Sequence, residues 1–389
     1  MHLIKIEQCL DFIENFETKN IGIAFLVTIG RSGSSLLMSL LDSHEEILMI
    51  PLIFYYYLDW EKIKQFKDHP EVLAKNFIFN TFSSFSEDRH SSSLGENRNE
   101  TFSLKRDKIL DELVKILLAL KKITRKNFFL ALHLSYAIVE NIDLSKIKVI
   151  VQHHHFLIAS FAYKYEKNRF TDNFSDDQPF FENLLSDFSN VKIICMIRNP
   201  IDNYYSTLKF LKSKNELFDI STFYFSFFGV LFNFNISIKQ KEVMQGNFKF
   251  IKFESLHKNT IGVMKELASF LKISFSDILL RSTKDGKLWW GNNPNNIING
   301  TNPNISLDKW KNCLDSQSKV ICSVLMKDFA ARFNYEIPLF SEKEIKIHKF
   351  IEKEFESYIY AHYNELNDSV SFSDNYLLLR SKLINYYKS

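Results

Sequence analysis

The sequence predicts an α/β protein with a mainly parallel central sheet flanked by helices, and three observations lead there. Apolar runs rich in β-branched residues at 22–29, 147–152, 191–197 and 248–253 read as strands, those at 147–152 and 191–197 as strands buried on both faces. Helix-period apolar stripes occupy 34–43, 108–121, 202–213 and 260–271. The two kinds of segment alternate along the chain, as they do in crossover-connected parallel sheets.

Taken in order, residues 5–17 read as a short amphipathic helix. Strand 22–29 then gives way to Gly30-Arg31-Ser32-Gly33-Ser34-Ser35 and helix 34–43. An aromatic stretch, IPLIFYYYLDW, leads into a helical run near 60–82. Residues 83–107 are polar and Ser-rich, which predicts an exposed loop. Helix 108–121 carries its stripe on Ile109, Leu110, Leu113, Ile116 and Leu117. A helical or mixed segment covers 128–140, and a further helix pair separates strand 147–152 from strand 191–197. That strand ends at Arg198-Asn199-Pro200, before helix 202–213; strand 248–253 and helix 260–271 follow. Residues 338–389 read as two charged amphipathic helices added to a core domain of 1–337.

Composition narrows the class. A chain of 389 residues with 46% hydrophobic content can bury a large core. A net charge of +3, with dispersed Lys and Arg, provides no footprint for nucleic acid. The four cysteines form no C-x-x-C pair, so reduced thiols are expected rather than a zinc knuckle or a disulfide scaffold. The first twenty residues lack the basic and apolar regions of a signal peptide. No run approaches 18 apolar residues, so no membrane span is expected and the expected location is cytoplasmic.

The glycines point to a site. Only ten occur in the chain, yet Gly22, Gly30 and Gly33 fall within twelve residues. A strand, a glycine turn and a helix start together direct free N–H groups and the helix dipole at an anion. Ser34 and Ser35 add hydroxyls, and Arg31 adds a fork-shaped cation. The loop is not a Walker A motif, because Ser34 follows Gly33 where a lysine is needed. It is not G-x-G-x-x-G either. In open α/β sheets, ligands bind beyond the carboxyl ends of the strands, where these residues are expected.

A second motif, CMIRNPIDNYYSTLKF at 195–210, sets Arg198 at a strand end and Ser206 eight residues later. Together the two motifs resemble the sulfotransferases that use 3′-phosphoadenosine 5′-phosphosulfate (PAPS). The resemblance covers roughly 20–337 and implies a P-loop-like three-layer fold. It implies that Gly30, Arg31, Ser32, Gly33, Ser34 and Ser35 hold the 5′-phosphosulfate, and Arg198 and Ser206 the 3′-phosphate. The segment FIKFESLHKNTIGVMKELASFLKI at 250–273 is similar to a strand and helix of the family, with Glu254 in a structural role. LWWGNNPNNIINGTNPNISLDKWKNCL at 288–314 resembles the part that closes over the nucleotide. No metal is implied, and bacterial-type relatives imply a carbohydrate or glycan hydroxyl as acceptor.

For the general base the chain offers Gln152-His153-His154-His155. Cytosolic members of the family carry a catalytic histidine after an equivalent strand, in a Lys-Thr/Ser-His pattern. With Gln152 in the lysine position, His154 is the base; a slip of one residue selects His153 or His155. Adjacent strand residues point to opposite faces, so the run does not read as a metal site. The tyrosine-modifying branch uses a glutamate, but Ile50-Pro51-Leu52 occupies that region here, with Glu45 and Glu46 nearer the loop. His44 is expected to cap the first helix after the loop or to pack beside the loop. Tyr55, Tyr56, Tyr57, Trp60, Trp289 and Trp290 serve either as acceptor platforms or as core. The alternatives are a P-loop kinase of related fold, which needs a loop lysine and Mg²⁺ ligands, and a nucleotide-binding module without catalysis.

Overall fold

The computed structural model describes residues 5–28, 30–80, 91–155, 183–213, 246–291, 298–305, 307–338 and 340. The strands are β1 (Gly22–Thr28), β2 (Ile47–Ile53), β3 (Ser91–Leu94), β4 (Glu100–Phe102), β5 (Val149–His155), β6 (Val191–Ile197), β7 (Phe248–Lys252), β8 (Thr283–Lys284) and β9 (Lys287–Leu288). The helices begin with α1 (Ile6–Glu14), α2 (Ser34–Leu41), α3 (Tyr56–Ile63), α4 (Pro70–Asn80), α5 (Arg106–Ala119) and α6 (Arg125–Glu140). They continue with α7 (Pro200–Ser213), α8 (Phe253–Lys258), α9 (Thr260–Leu271), α10 (Trp310–Cys313) and α11 (Ser316–Phe333). Five parallel strands form one sheet in the order β2-β5-β1-β6-β7.

Alternation along β1 divides the core into two layers. Ala24 and Leu26 pack with Leu37 and Leu40 of α2 and with Met264 and Leu267 of α9. Phe25 and Val27 face the opposite way, into a larger cluster with α1 and α3–α6. Sheet and two helical layers give the α/β architecture that the alternating pattern predicts. The Phe25 ring stacks on Phe129 at 5.8 Å, and Tyr56 meets Phe129 edge-on at 5.0 Å. Tyr56, Tyr57 and Trp60 are therefore core residues, and the platform reading is corrected for these three. Arg125 grips Asp187 with two nitrogens, at 2.6 and 3.1 Å, and sits 5.4 Å from the centre of the Tyr57 ring.

Three elements depart from expectation. β2 runs into the start of the aromatic stretch, at the edge of the sheet, where Pro51 is tolerated because its missing N–H faces no partner strand. Its pairing with β5 shifts register between Met49 and Ile53, around that proline. The Ser-rich segment contains the β3–β4 hairpin, with Leu94 and Phe102 buried, held to β9 by Gly95 N–H donating to the Leu288 carbonyl at 2.9 Å. β5 runs on through all three histidines rather than stopping at 152. Apart from its first few residues, the 338–389 extension lies outside the described residues.

The β8–β9 turn carries a pH-sensitive carboxylate. Asp285 (φ 53°) and Gly286 (φ 73°) make the two left-handed positions of a tight hairpin. Burial, then Glu140 and Asp42, push the Asp285 carboxyl up to about 6. A folded-state value above the unfolded one means stability falls as pH rises from about 4 to 6, and the penalty persists above that range. Asp285→Asn keeps a residue that tolerates this backbone. It should raise stability at pH 8 by about 1 kcal/mol after solvent screening. Urea unfolding checks this: the gain should be present at pH 8 and absent near pH 4.

Candidate functional site

β1 and β6 are parallel neighbours, so their carboxyl ends open side by side and the two segments that follow them meet. After β1 the chain turns through Gly30–Ser35 into α2. Gly33 precedes the helix at φ 97°, and its carbonyl accepts from Leu36 N–H at 3.0 Å and Leu37 N–H at 3.1 Å. A Cβ at Gly33 would stand 2.4 Å from Cδ2 of Phe253, so glycine is required by sterics as well as by φ. Arg31 is also left-handed, at φ 65°, which costs about 1 kcal/mol in a residue of its size. Strain of this kind is held where the surroundings over-determine it, often at ligand sites.

After β6, Asn199 caps α7: its Oδ1 accepts from Ile201 N–H at 3.0 Å and Asp202 N–H at 3.2 Å, and Pro200 takes the first helical position. Glu254 fixes this corner, accepting from Asn199 N–H at 2.7 Å through one oxygen and from the Tyr335 hydroxyl at 2.9 Å through the other. Three contacts join the corner to the glycine loop. Asn203 Nδ2 donates to the Gly30 carbonyl at 3.1 Å, Arg198 Nη1 to the Arg31 carbonyl at 3.4 Å, and Arg31 Nε to Ser206 Oγ at 3.4 Å.

The electrostatics are one-sided. Among the described residues neither guanidinium forms an ion pair with a carboxylate. Desolvation, then the charge of Arg198, pulls Arg31 below its ordinary range. Desolvation lowers Arg198 too, offset by Asp202, Glu254 and Tyr335. The Arg31 guanidinium lies 5.0 Å from the centre of the Phe210 ring, and that of Arg198 lies 4.6 Å from the centre of the Phe253 ring. Arg198 Nε is buried and has no hydrogen-bond partner among the described residues. Two neighbouring cations, Arg198 half-buried and Arg31 exposed, beside helix-start N–H groups favour a multiply charged anion. Ser32 and Ser34 are buried and Ser35 is half-buried.

The histidines separate by face. His153, His154 and His155 pair in register with Leu26, Val27 and Thr28 of β1. His153 turns under α2, with Nδ1 3.1 Å from Sδ of Met38. His154 turns to the other face, its ring 5.6 Å from that of Tyr55 at 80°. The side chain of His155 lies outside the described residues. Gln152, on the face of His154, donates to the Phe54 carbonyl at 3.4 Å and the His153 carbonyl at 2.8 Å.

Sequence reasoning assigned no role to Asn203, Phe253, Phe210 or His257. Asn203 lies inside the second motif, two turns before its end, and was visible there as a polar residue one turn before Ser206. The aromatic and imidazole groups carry no local signal, because they reach the loop only through the fold. His44 departs from both of its expected roles. Its Nε2 donates to the Ser274 carbonyl at 2.9 Å and its Nδ1 accepts from Glu46 N–H at 3.2 Å, tying the chain after α2 to the segment after α9.

Among the described residues no group of three or more His, Cys, Asp or Glu is arranged to hold a metal, and no helix is long and apolar enough to cross a membrane. Solved structures similar to the chain include the sulfotransferase domain from the curacin biosynthetic pathway, 16% identical over 82% of this chain and 99% of that one, with a TM-score of 0.43. The sulfotransferase domain of the Synechococcus olefin synthase is 13% identical over 82% and 97%, at 0.47. A retinol dehydratase in complex with retinol and PAP is 12% identical over 85% and 88%, at 0.36. No curated protein matches significantly. A family model, the sulfotransferase domain, matches residues 23–288, well over half of the chain and including both arginine motifs and the histidine strand. The chain belongs to the sulfotransferase family, the enzymes that move a sulfuryl group from a PAPS donor.

Proposed function

We propose that this enzyme transfers the sulfuryl group of PAPS to a hydroxyl of a carbohydrate acceptor. The observation that carries the donor assignment is the Arg31–Ser206 contact, which joins two anion-type motifs 175 residues apart at the carboxyl ends of neighbouring strands. A nucleotide bearing a phosphosulfate at one end and a phosphate at the other needs two cationic, hydroxyl-bearing sites close together. Gly30–Ser35 would take the 5′ end, and Arg198 and Ser206 the 3′ end.

In the reaction the acceptor oxygen bonds to sulfur while the sulfur–oxygen bond to the 5′-phosphate breaks in line, as in phosphoryl transfer. Arg31 offsets the charge growing on the leaving phosphate. The acceptor proton passes to His154, with His153 and His155 the other members of the run able to take that role. Tyr55 beside His154, and Trp290, whose Nε1 donates to the Gly95 carbonyl at 2.7 Å, are the half-buried aromatic faces offered to a sugar ring.

The test is transfer of ³⁵S from labelled PAPS to a panel of sugars, glycans and apolar alcohols. Labelled sugar is the expected product. Label appearing only on apolar alcohols would overturn the acceptor, and label appearing on none would overturn the transfer itself.

A further inference from the structure

His257 lies on α8, one turn after Phe253, and nothing in the two motifs or the histidine run includes it. Its ring meets the Phe253 ring edge-on, 4.4 Å between centres at 70°. Phe253 is the same ring that lies against the Arg198 guanidinium and that forbids a side chain at Gly33. His257 is therefore part of the wall behind the glycine loop and Arg198, although it is more than fifty residues from either in sequence.

The tautomer follows from one hydrogen bond. Nδ1 lies 2.9 Å from the backbone nitrogen of Asn302, and a backbone N–H can only donate, so Nδ1 is the acceptor. In the neutral ring the proton is then on Nε2. Burial and the charge of Arg198 hold His257 down at about 4, so the ring is neutral at physiological pH. Only 5% of the residue is exposed, and Nε2 has no hydrogen-bond partner among the described residues. A buried N–H donor left unmade is costly, so such a group calls for an acceptor. The cationic field of Arg198 selects an anionic one.

We propose that the Nε2–H of His257 donates to the phosphomonoester held by Arg198 and Ser206, making His257 a residue that selects a 3′-phosphorylated nucleotide. The inference deepens the proposed function and rests on its donor assignment. Through Asn302 the same ring also links nucleotide binding to the segment 298–305, whose Thr301 hydroxyl shares a hydrogen bond with Thr260 of α9. A neutral donor suits this position, since a third cation beside Arg198 and Arg31 would repel both.

Calorimetric titration with adenosine 3′,5′-bisphosphate and with adenosine 5′-phosphate tests the idea. His257→Asn keeps an acceptor for Asn302 N–H and removes the Nε2 donor; His257→Gln keeps a donor where Nε2 was. The Asn variant should lose tenfold or more in affinity for the bisphosphate. Its affinity for the 5′-phosphate should be unchanged, and the Gln variant should retain most of the preference. Equal losses for both nucleotides, or no loss for either, would overturn the role of His257. Absence of any bisphosphate preference in the wild type would instead overturn the donor assignment, and this inference with it. Should the Asn variant fail to fold, ¹⁵N-labelled wild type supplies the second reading. The His257 Nε2–H resonance should move downfield and resist exchange when bisphosphate is added, and an unmoved resonance would overturn the proposal.

Discussion

Replacing His154 with alanine should lower turnover about 10²–10⁴-fold, the range of a lost general base. Affinity for adenosine 3′,5′-bisphosphate should stay unchanged. The expectation follows from the separation of tasks at the carboxyl ends of the strands. The groups proposed to hold the nucleotide sit on the turn after β1 and on α7, whereas His154 projects from β5 on the face of Tyr55. Removing the ring withdraws a proton acceptor without touching the cradle. His154 is buried, so alanine also leaves a cavity, and His154→Gln, which better fills the space, should show a comparable loss. Steady-state rates with labelled PAPS, paired with calorimetry on each variant, separate the two effects. Near-normal turnover would transfer the role to His155, which follows in the same strand, or to His153. His153 has its Nδ1 against Met38 beneath α2, on the opposite face of the strand from His154 and Tyr55.

The second large effect is expected at the paired arginines. Arg31→Ala should lower turnover about 10²–10³-fold, the scale of removing one preorganised group from a developing anion. Arg198→Ala should weaken bisphosphate binding about a hundredfold, since a charge-assisted contact and the positive field behind it are both lost. Neither change should unfold the protein. Neither guanidinium forms an ion pair with a carboxylate among the described residues, and the charge of Arg198 pulls Arg31 below its ordinary range, so removing either breaks no ion pair and relieves the repulsion on Arg31. Circular dichroism melts should therefore be unchanged or slightly higher while calorimetry reports the loss. A large drop in melting temperature with normal affinity in the surviving protein would assign the arginines to structure instead. Lysine at position 198 should recover only part of the binding, because a point charge cannot reproduce the planar fork.

Much of this was legible along the chain. The strand–turn–helix at 22–41 follows from an apolar run, glycines with a backbone reason, and an immediate helical stripe. Helix 260–271 appears with its expected bounds, capped by Asn259, whose Oδ1 accepts from Gly262 N–H at 3.1 Å. β2 was hidden because Pro51 argues against a strand wherever an N–H is needed, and only the edge position removes that need. The β3–β4 hairpin was hidden because its two apolar anchors, Leu94 and Phe102, are too few to set a period within a polar segment. His257 was invisible for a different reason: its role depends on which ring and which cation the fold brings beside it.

The sequence by itself determined the layered α/β class, the glycine turn between strand and helix and the second arginine motif, because each is written in residues close enough to act through local backbone geometry. Only the tertiary structure decided that the two motifs meet, that His153 lies against Met38 while His154 lies beside Tyr55, and that Phe253 and His257 stand behind the turn. Those facts depend on strand order: β1 lies between β5 and β6, and that adjacency is settled by burying both faces of the sheet at once rather than by any short stretch of chain.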